Sequence, residues 1–182
     1  LSQSGVLAQV NSYLTANAST ASGGSNTIPL LNVVYSFPPK FTPEGEVMGT
    51  DLPNTSGISS GAAIYLYIPE TNDERIALGG EHNGRKMITY DVHLICVFFS
   101  EHSLSQNAGA DNLTFTDGLK TAIRADRTCG GSGPIFQWGE GSNIGGRDIY
   151  LSTDLPRQML GKQGKTVIYS LCKVTTLEII DE

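Results

Sequence analysis

The sequence predicts an α+β fold: one domain with a mostly antiparallel β-sheet, two helices packed on one face of it, and long loop insertions. Three observations predict this. Two segments, 6–16 and 113–127, carry apolar residues at helical spacing. Between and after them run segments that alternate with a period of two, the longest being 86–99 and 165–180. The strands are joined mainly by hairpin-type connections, which favour antiparallel neighbours. A chain of 182 residues fits one domain, 1–182, and at this length can bury roughly 70% of its unfolded surface without a metal or disulfide.

The elements follow in order. Val6, Val10 and Leu14 recur every fourth residue, with Leu7 and Tyr13 beside them, and predict a first helix over 6–16. Ser19–Asn26 reads as a flexible connector. Ile28–Ser36 reads as a strand with Pro29 at its mouth. Phe37–Ser60 is long and rich in Pro, Gly, Thr and Ser, so it reads either as a surface excursion or as an arm ordered by a neighbouring subunit. Ala62–Ile68 alternates as a strand, and Arg75–Leu78 reads as a short second arm. Asn83-Gly84 is a hairpin signal because both residues tolerate positive φ.

In the next strand Ile88, Tyr90, Val92, Leu94, Cys96 and Phe98 form one unbroken apolar face. The other face turns apolar only at Ile95, Val97 and Phe99, which predicts burial on both sides near the strand's end. Phe115, Leu119 and Ile123 mark the second helix, with Asp111 or Asn112 as its cap and Gly130-Gly131 as its end. Gly118 inside it costs about 1 kcal/mol relative to Ala. Ile135–Trp138 and Asp148–Ser152 are short strands around the glycine-rich loop 139–146. The closing strand sets Val167, Tyr169 and Leu171 against Ile168, Cys172 and Val174. Its length exceeds the usual strand, which suggests a sheet extended or covered by a partner.

Composition narrows the function. Only 16% of residues are charged, against roughly 25% in soluble domains, as expected of a surface that rests partly against protein. The net charge of −6 and the absence of a Lys/Arg cluster beyond Arg85-Lys86 argue against a nucleic-acid clamp. Cys96, Cys129 and Cys172 are widely spaced and odd in number, which implies neither a disulfide framework nor a zinc motif. A reducing cytoplasm is the expected folding environment. The longest apolar run, 94–99, is too short to span a bilayer. The chain opens on Leu1, so residues are expected upstream of it.

Candidate chemistry is sparse. Gly57-Ile-Ser59-Ser-Gly61 matches the G-x-S-x-G pattern of serine hydrolases, but that elbow needs a strand before the serine and a helix after it. Here a loop precedes and a strand follows. Asp91 and His93 share a strand face, with His82, Glu101 and His102 near the strand ends, and a metal site or acid/base pair is the alternative to a hydrogen-bonded polar face. Gly130-Gly-Ser-Gly133 and Gly139-Glu-Gly141 lack the helix and Lys-Ser/Thr pair of a phosphate cradle and read as turns. Trp138 reads as a core or interface anchor. Arg124, Asp126 and Arg127 at the end of the second helix, and Asp154 with Arg157 around Pro156, are the candidate subunit or partner contacts. No catalytic residue, cofactor or metal ligand is expected.

Several of these segments in this order resemble the tail-terminator and head–tail joining proteins of long-tailed bacteriophages, especially those of phages infecting actinobacteria. They are Ile88-Thr-Tyr-Asp-Val-His-Leu94, Ala122-Ile-Arg-Ala-Asp-Arg-Thr128, Ile135-Phe-Gln-Trp138, Asp154-Leu-Pro-Arg157 and Thr176-Leu-Glu-Ile-Ile180. The likeness runs from the first helix to the last strand. It implies a virion protein at the tail–head junction: a homo-oligomeric ring, usually a hexamer, that caps the tail tube and joins it to the head connector or stopper. DNA would pass through the lumen without specific binding, and no membrane is involved. The long 37–60 arm and the 21 glycines depart from the family pattern and leave open which neck protein this is. The alternatives are a tail-tube or minor tail protein, a head–tail stopper, a small hydrolase or metal-binding enzyme, and a sugar- or receptor-binding module.

Overall fold

A computed structural model describes residues 3–18, 27–45, 47–48, 59–77, 84–102, 105–131, 133–135, 137–139, 149–158 and 165–181. The expected connector at 19–26, His82, Asn83 and residues 140–148 lie outside them. The elements are α1 (Gln3–Ala16), β1 (Leu31–Tyr35), β2 (Ser60–Ala77), β3 (Arg85–Ser100), α2 (Ser105–Ala125), β4 (Gln137–Trp138), β5 (Tyr150–Thr153), β6 (Arg157–Gln158) and β7 (Thr166–Asp181). They build a single α+β domain in which both helices pack against a mostly antiparallel, curled sheet.

The sheet runs β1-β2-β3-β7-β4, with β5 and β6 also paired to β7. Three long strands carry it. β3 pairs with β7 from Arg85↔Asp181 to Ser100↔Thr166, and with β2 from Ala77↔Arg85 to Ser60↔Ser100. Only β1 is parallel to its neighbour, β2. At the end of the β2–β3 hairpin Arg85 faces Ala77, whereas a two-residue turn at Asn83-Gly84 would place it opposite residue 82.

Strand alternation sorts the side chains into two layers. Ile88, Tyr90, Val92, Leu94, Cys96 and Phe98 join Val6, Val10 and Leu14 of α1 and Phe115, Leu119 and Ile123 of α2 in the main core. The opposite face holds a smaller cluster of Val47, Ala63, Tyr65, Val97 and Val167. The expected burial of β3 on both sides near its end is found, since 96–100 are all buried.

Four expectations need correction. β1 begins at Leu31 rather than Ile28, because Leu30 takes a left-handed φ of 63° that interrupts the strand. The two segments 62–68 and 75–78 belong to one strand, β2, whose register shifts between Tyr67 and Glu70. Pro69 falls in that shift; it has no N–H to give the ladder, so a bulge accommodates it. α2 starts at Ser105, so Asp111 and Asn112 stand inside it instead of capping it. Ala108 and Asn112 continue the buried stripe of Phe115 and Leu119 backwards, and this burial outweighs the poor propensity of Gly109 and Asn112. The helix also ends at Ala125, before Gly130-Gly131. Finally, part of the 37–60 arm lies on the protein's own sheet. Phe37 packs on Tyr35 and Tyr65, Val47 is buried, and the Val47 amide donates to the Tyr169 hydroxyl at 3.1 Å.

All three cysteines are free and buried. Burial raises the pKa of Cys96 and Cys129, and that of Cys172 from 9.0 to about 12. Burial likewise raises the Tyr13 phenol from 10.0 to about 12, and raises Tyr90, whose hydroxyl also donates to the Glu178 carboxylate at 2.7 Å. These groups stay protonated in the fold after they would ionise in the unfolded chain. Their stabilisation is therefore complete below about pH 9 and is lost as pH rises toward 12. Urea midpoints measured from pH 8 to pH 11 should fall steadily above pH 9; a flat profile would contradict this burial.

Candidate functional site: a tyrosine-rich groove on the outer sheet face

The sheet face away from the helices carries a groove of about 340 Å³. Its construction follows from register. Tyr67 of β2, His93 of β3, Lys173 of β7 and Tyr150 of β5 are direct cross-strand partners, so they form one row on one face. The next row on that face is Tyr65, Ile95, Leu171 and Ser152. Tyr169 follows on β7, and Phe41 and Gly45 of the arm close one side. Asp154, just beyond β5, closes another.

The electrostatics are simple. Lys173 lies over the Tyr150 ring, 5.5 Å from its centroid, and makes no ion pair among the described residues. His93 shares a 2.9 Å hydrogen bond with the Tyr67 hydroxyl and meets that ring edge-on. Burial lowers its pKa, Lys173 lowers it further, and Asp91 opposes both, so the imidazole is neutral at neutral pH. Large apolar side chains cluster here. Among the described residues six are substantially exposed; Phe41 and Tyr150 line the groove, Phe37 packs on Tyr65 of the same face, and Leu155, 83% exposed, follows the lining residue Asp154. Contiguous exposure of this kind marks surfaces that meet a partner.

The residues expected to carry chemistry are distributed elsewhere. Ser59 lies in the bend before β2, and its carbonyl accepts from the Glu101 amide at 2.8 Å. Its neighbour Ser60 bonds to Ser100 at 3.1 Å and donates to Asp111 Oδ2 at 3.2 Å. His102 Nε2 approaches the same carboxylate oxygen at 3.5 Å. The carboxylate thus stands between serine and imidazole, where a serine nucleophile would need the imidazole itself. The cluster ties α2 to the end of the β2–β3 ladder. Gly61 sits in β2, where an added Cβ would overlap the Asn32 amide, so it serves close packing rather than an elbow. Among the described residues no group of three or more His, Cys, Asp and Glu is placed to hold a metal. Among the described residues no helix is long and apolar enough to cross a membrane.

The five candidate contact residues form two separate groups. Asp154 and Arg157 pair with each other at 3.4 Å, both exposed. Asp126 is occupied internally: it accepts from the Thr128 amide at 2.8 Å, the Thr128 hydroxyl at 2.6 Å and the Gly130 amide at 2.9 Å. The Thr128 hydroxyl is the main cause holding its pKa below the usual value, partial burial opposes, and the two amides reinforce it. Arg127 is exposed, and its carbonyl accepts from the Trp138 amide. Trp138 pairs with Thr176 while Arg157 pairs with Val167, nine residues away on β7. At about 3.3 Å per residue the two groups stand roughly 30 Å apart along that strand.

Sequence reasoning missed the groove. Tyr67, Lys173 and Tyr150 are far apart in the chain, and only the pairing of β5 with β7 makes Tyr150 a neighbour of Lys173. No family model matches the chain, and no curated protein matches it.

Proposed function

We propose that this chain is a non-catalytic structural subunit that forms a ring at the tail–head junction of a phage particle, capping the tail tube and joining it to the head connector. The observation that carries the assembly reading is the groove face, where exposed Phe41 and Tyr150 line a sheet surface that a partner would cover and Leu155 follows the lining residue Asp154. The helices already cover the other face, so the outer face is the one left for docking. The position in the particle and the ring of six come from the sequence resemblance. A net charge of −6 suits a lumen through which DNA slides without being held.

The purified chain, alone and with tail-tube protein, should sediment as a closed oligomer. Leu155→Glu sets a charge in the rim and should weaken assembly at least about tenfold, since an uncompensated charge in an interface costs more than 1.4 kcal/mol. Its urea midpoint should stay within error of the parent, because Leu155 is 83% exposed. A chain that remains monomeric at high concentration and with the tail tube present overturns the ring reading.

A further inference from the structure

The groove face leaves open how one copy would meet the next around a ring. The sheet edges supply an answer, and it rests on the ring reading above. β1 covers β2 only from Ala62 to Tyr65. Beyond Tyr65, β2 continues to Ala77 with no strand on its outer side among the described residues, an edge of about 40 Å. That edge carries Glu70, Asp73 and Glu74, all exposed and without an ion pair among the described residues. The cations across the ladder, Arg85 and Lys86, already interact within the chain.

The opposite edge has the complementary charge. There β4 is two residues long, and beside it stands Arg127, just beyond α2, whose carbonyl accepts from the Trp138 amide. Arg127 is exposed and makes no ion pair among the described residues, and Asp126, next to it in the chain, is turned onto Thr128 and Gly130. The two edges stand at one height. Thr71 of β2 pairs with Tyr90, Tyr90 with Thr176, and Thr176 with Trp138, whose amide bonds Arg127. A single row across four strands therefore joins the acidic edge to the arginine corner.

We infer that the acidic edge of β2, Glu70 to Glu74, docks against the Arg127 corner of a second copy of this chain. Such a contact is heterologous, joining two different patches, and it closes into a ring only if successive copies do not climb. Equal height along the strands meets that condition. Pro69 and the bulge beside it keep the same edge from pairing indiscriminately as a strand, so charge selects the neighbour.

The test is a charge swap on the full chain. Asp73→Lys with Glu74→Lys makes one variant, and Arg127→Glu the other. Each alone should self-associate at least about tenfold more weakly than the parent, because like charges then face each other. Both should keep the parent's circular dichroism and melting temperature, since all three side chains are exposed. Mixing the two should restore the oligomer: each lysine edge then meets a glutamate corner, and each native acidic edge a native arginine corner. Restoration on mixing supports the assignment. A parent that assembles while the variants assemble equally well overturns the edge assignment and leaves the ring reading standing. Variants that each assemble normally alone but lose tail-tube binding overturn it too, and give this edge to the tube instead. A parent that never leaves the monomer overturns the ring reading first.

Discussion

Trp138→Ala is expected to destabilise the fold by about 3–5 kcal/mol, the range for removing a buried large aromatic side chain. Trp138 is fully buried and is the protein's only tryptophan. It joins three elements at this corner. Its ring meets Tyr13 of α1 edge-on at 5.5 Å, and Tyr13 in turn donates to the Ala122 carbonyl of α2. The indole N–H donates to the Asp126 carbonyl at 2.7 Å, and its backbone belongs to β4 on the edge of β7. Alanine leaves a cavity and an orphaned carbonyl together. Phenylalanine keeps most of the volume and loses the N–H, so it should cost less, with about 1 kcal/mol of its loss due to that hydrogen bond. Urea unfolding followed by circular dichroism reads both, since the tryptophan fluorescence is gone. A loss under about 1 kcal/mol for Trp138→Ala would show that the corner relaxes around the gap.

Gly118→Ala is expected to destabilise although helix propensity predicts the reverse. Propensity favours alanine in a helix interior by about 1 kcal/mol. Here the added methyl would overlap the Pro29 ring and come within 2.7 Å of the Thr27 carbonyl. Neither is the free end of a flexible chain, so α2 or the 27–29 segment must move. Overpacking of this kind costs about 1–3 kcal/mol, which outweighs the propensity gain. The net loss should be up to about 2 kcal/mol, visible as a lower urea midpoint at unchanged slope. A stabilised variant would show that the helix and the 27–29 segment separate easily.

Gly118 shows what a sequence conceals. Read locally it is a weak point in a helix; read in place, it is the gap through which the chain before β1 reaches the core. The start of α2 is a second case. Asn107, Gly109, Asp111 and Asn112 have the chemistry of caps and turns, yet Ala108 and Asn112 lie on the buried stripe and the helix runs through them. Asn112 keeps a buried side-chain oxygen with no hydrogen-bond partner, a cost of that placement. In the same way β2 looked like two segments because Pro69 interrupts its pattern, and only pairing with β3 shows one strand crossing a bulge.

The arm before β2 was ambiguous for another reason. Among its described residues the anchors are chiefly Phe37 and Val47, and their partners Tyr65 and Tyr169 lie on strands whose outer face the local pattern leaves half polar. The outward-facing groove was invisible for the same cause. Its members come from β2, β3, β5 and β7, and each reads singly as an exposed tyrosine or lysine.

The sequence by itself determined the fold class, the first helix, the two long strands and which of their faces enters the core. Those follow from periodicity, a property of neighbours along the chain, and the 2.0-residue alternation of β3 maps directly onto its two layers. It also determined that Cys96 and Cys172 are small core residues, since each falls in an apolar row. The tertiary structure alone decided where α2 begins, that Phe37 and Val47 lie on the protein's own sheet, that Asp126 is spent on a turn, and that Arg127 stands level with the acidic edge of β2. These depend on cross-strand register and on the desolvation of particular side chains, and both are fixed by contacts between residues far apart in sequence.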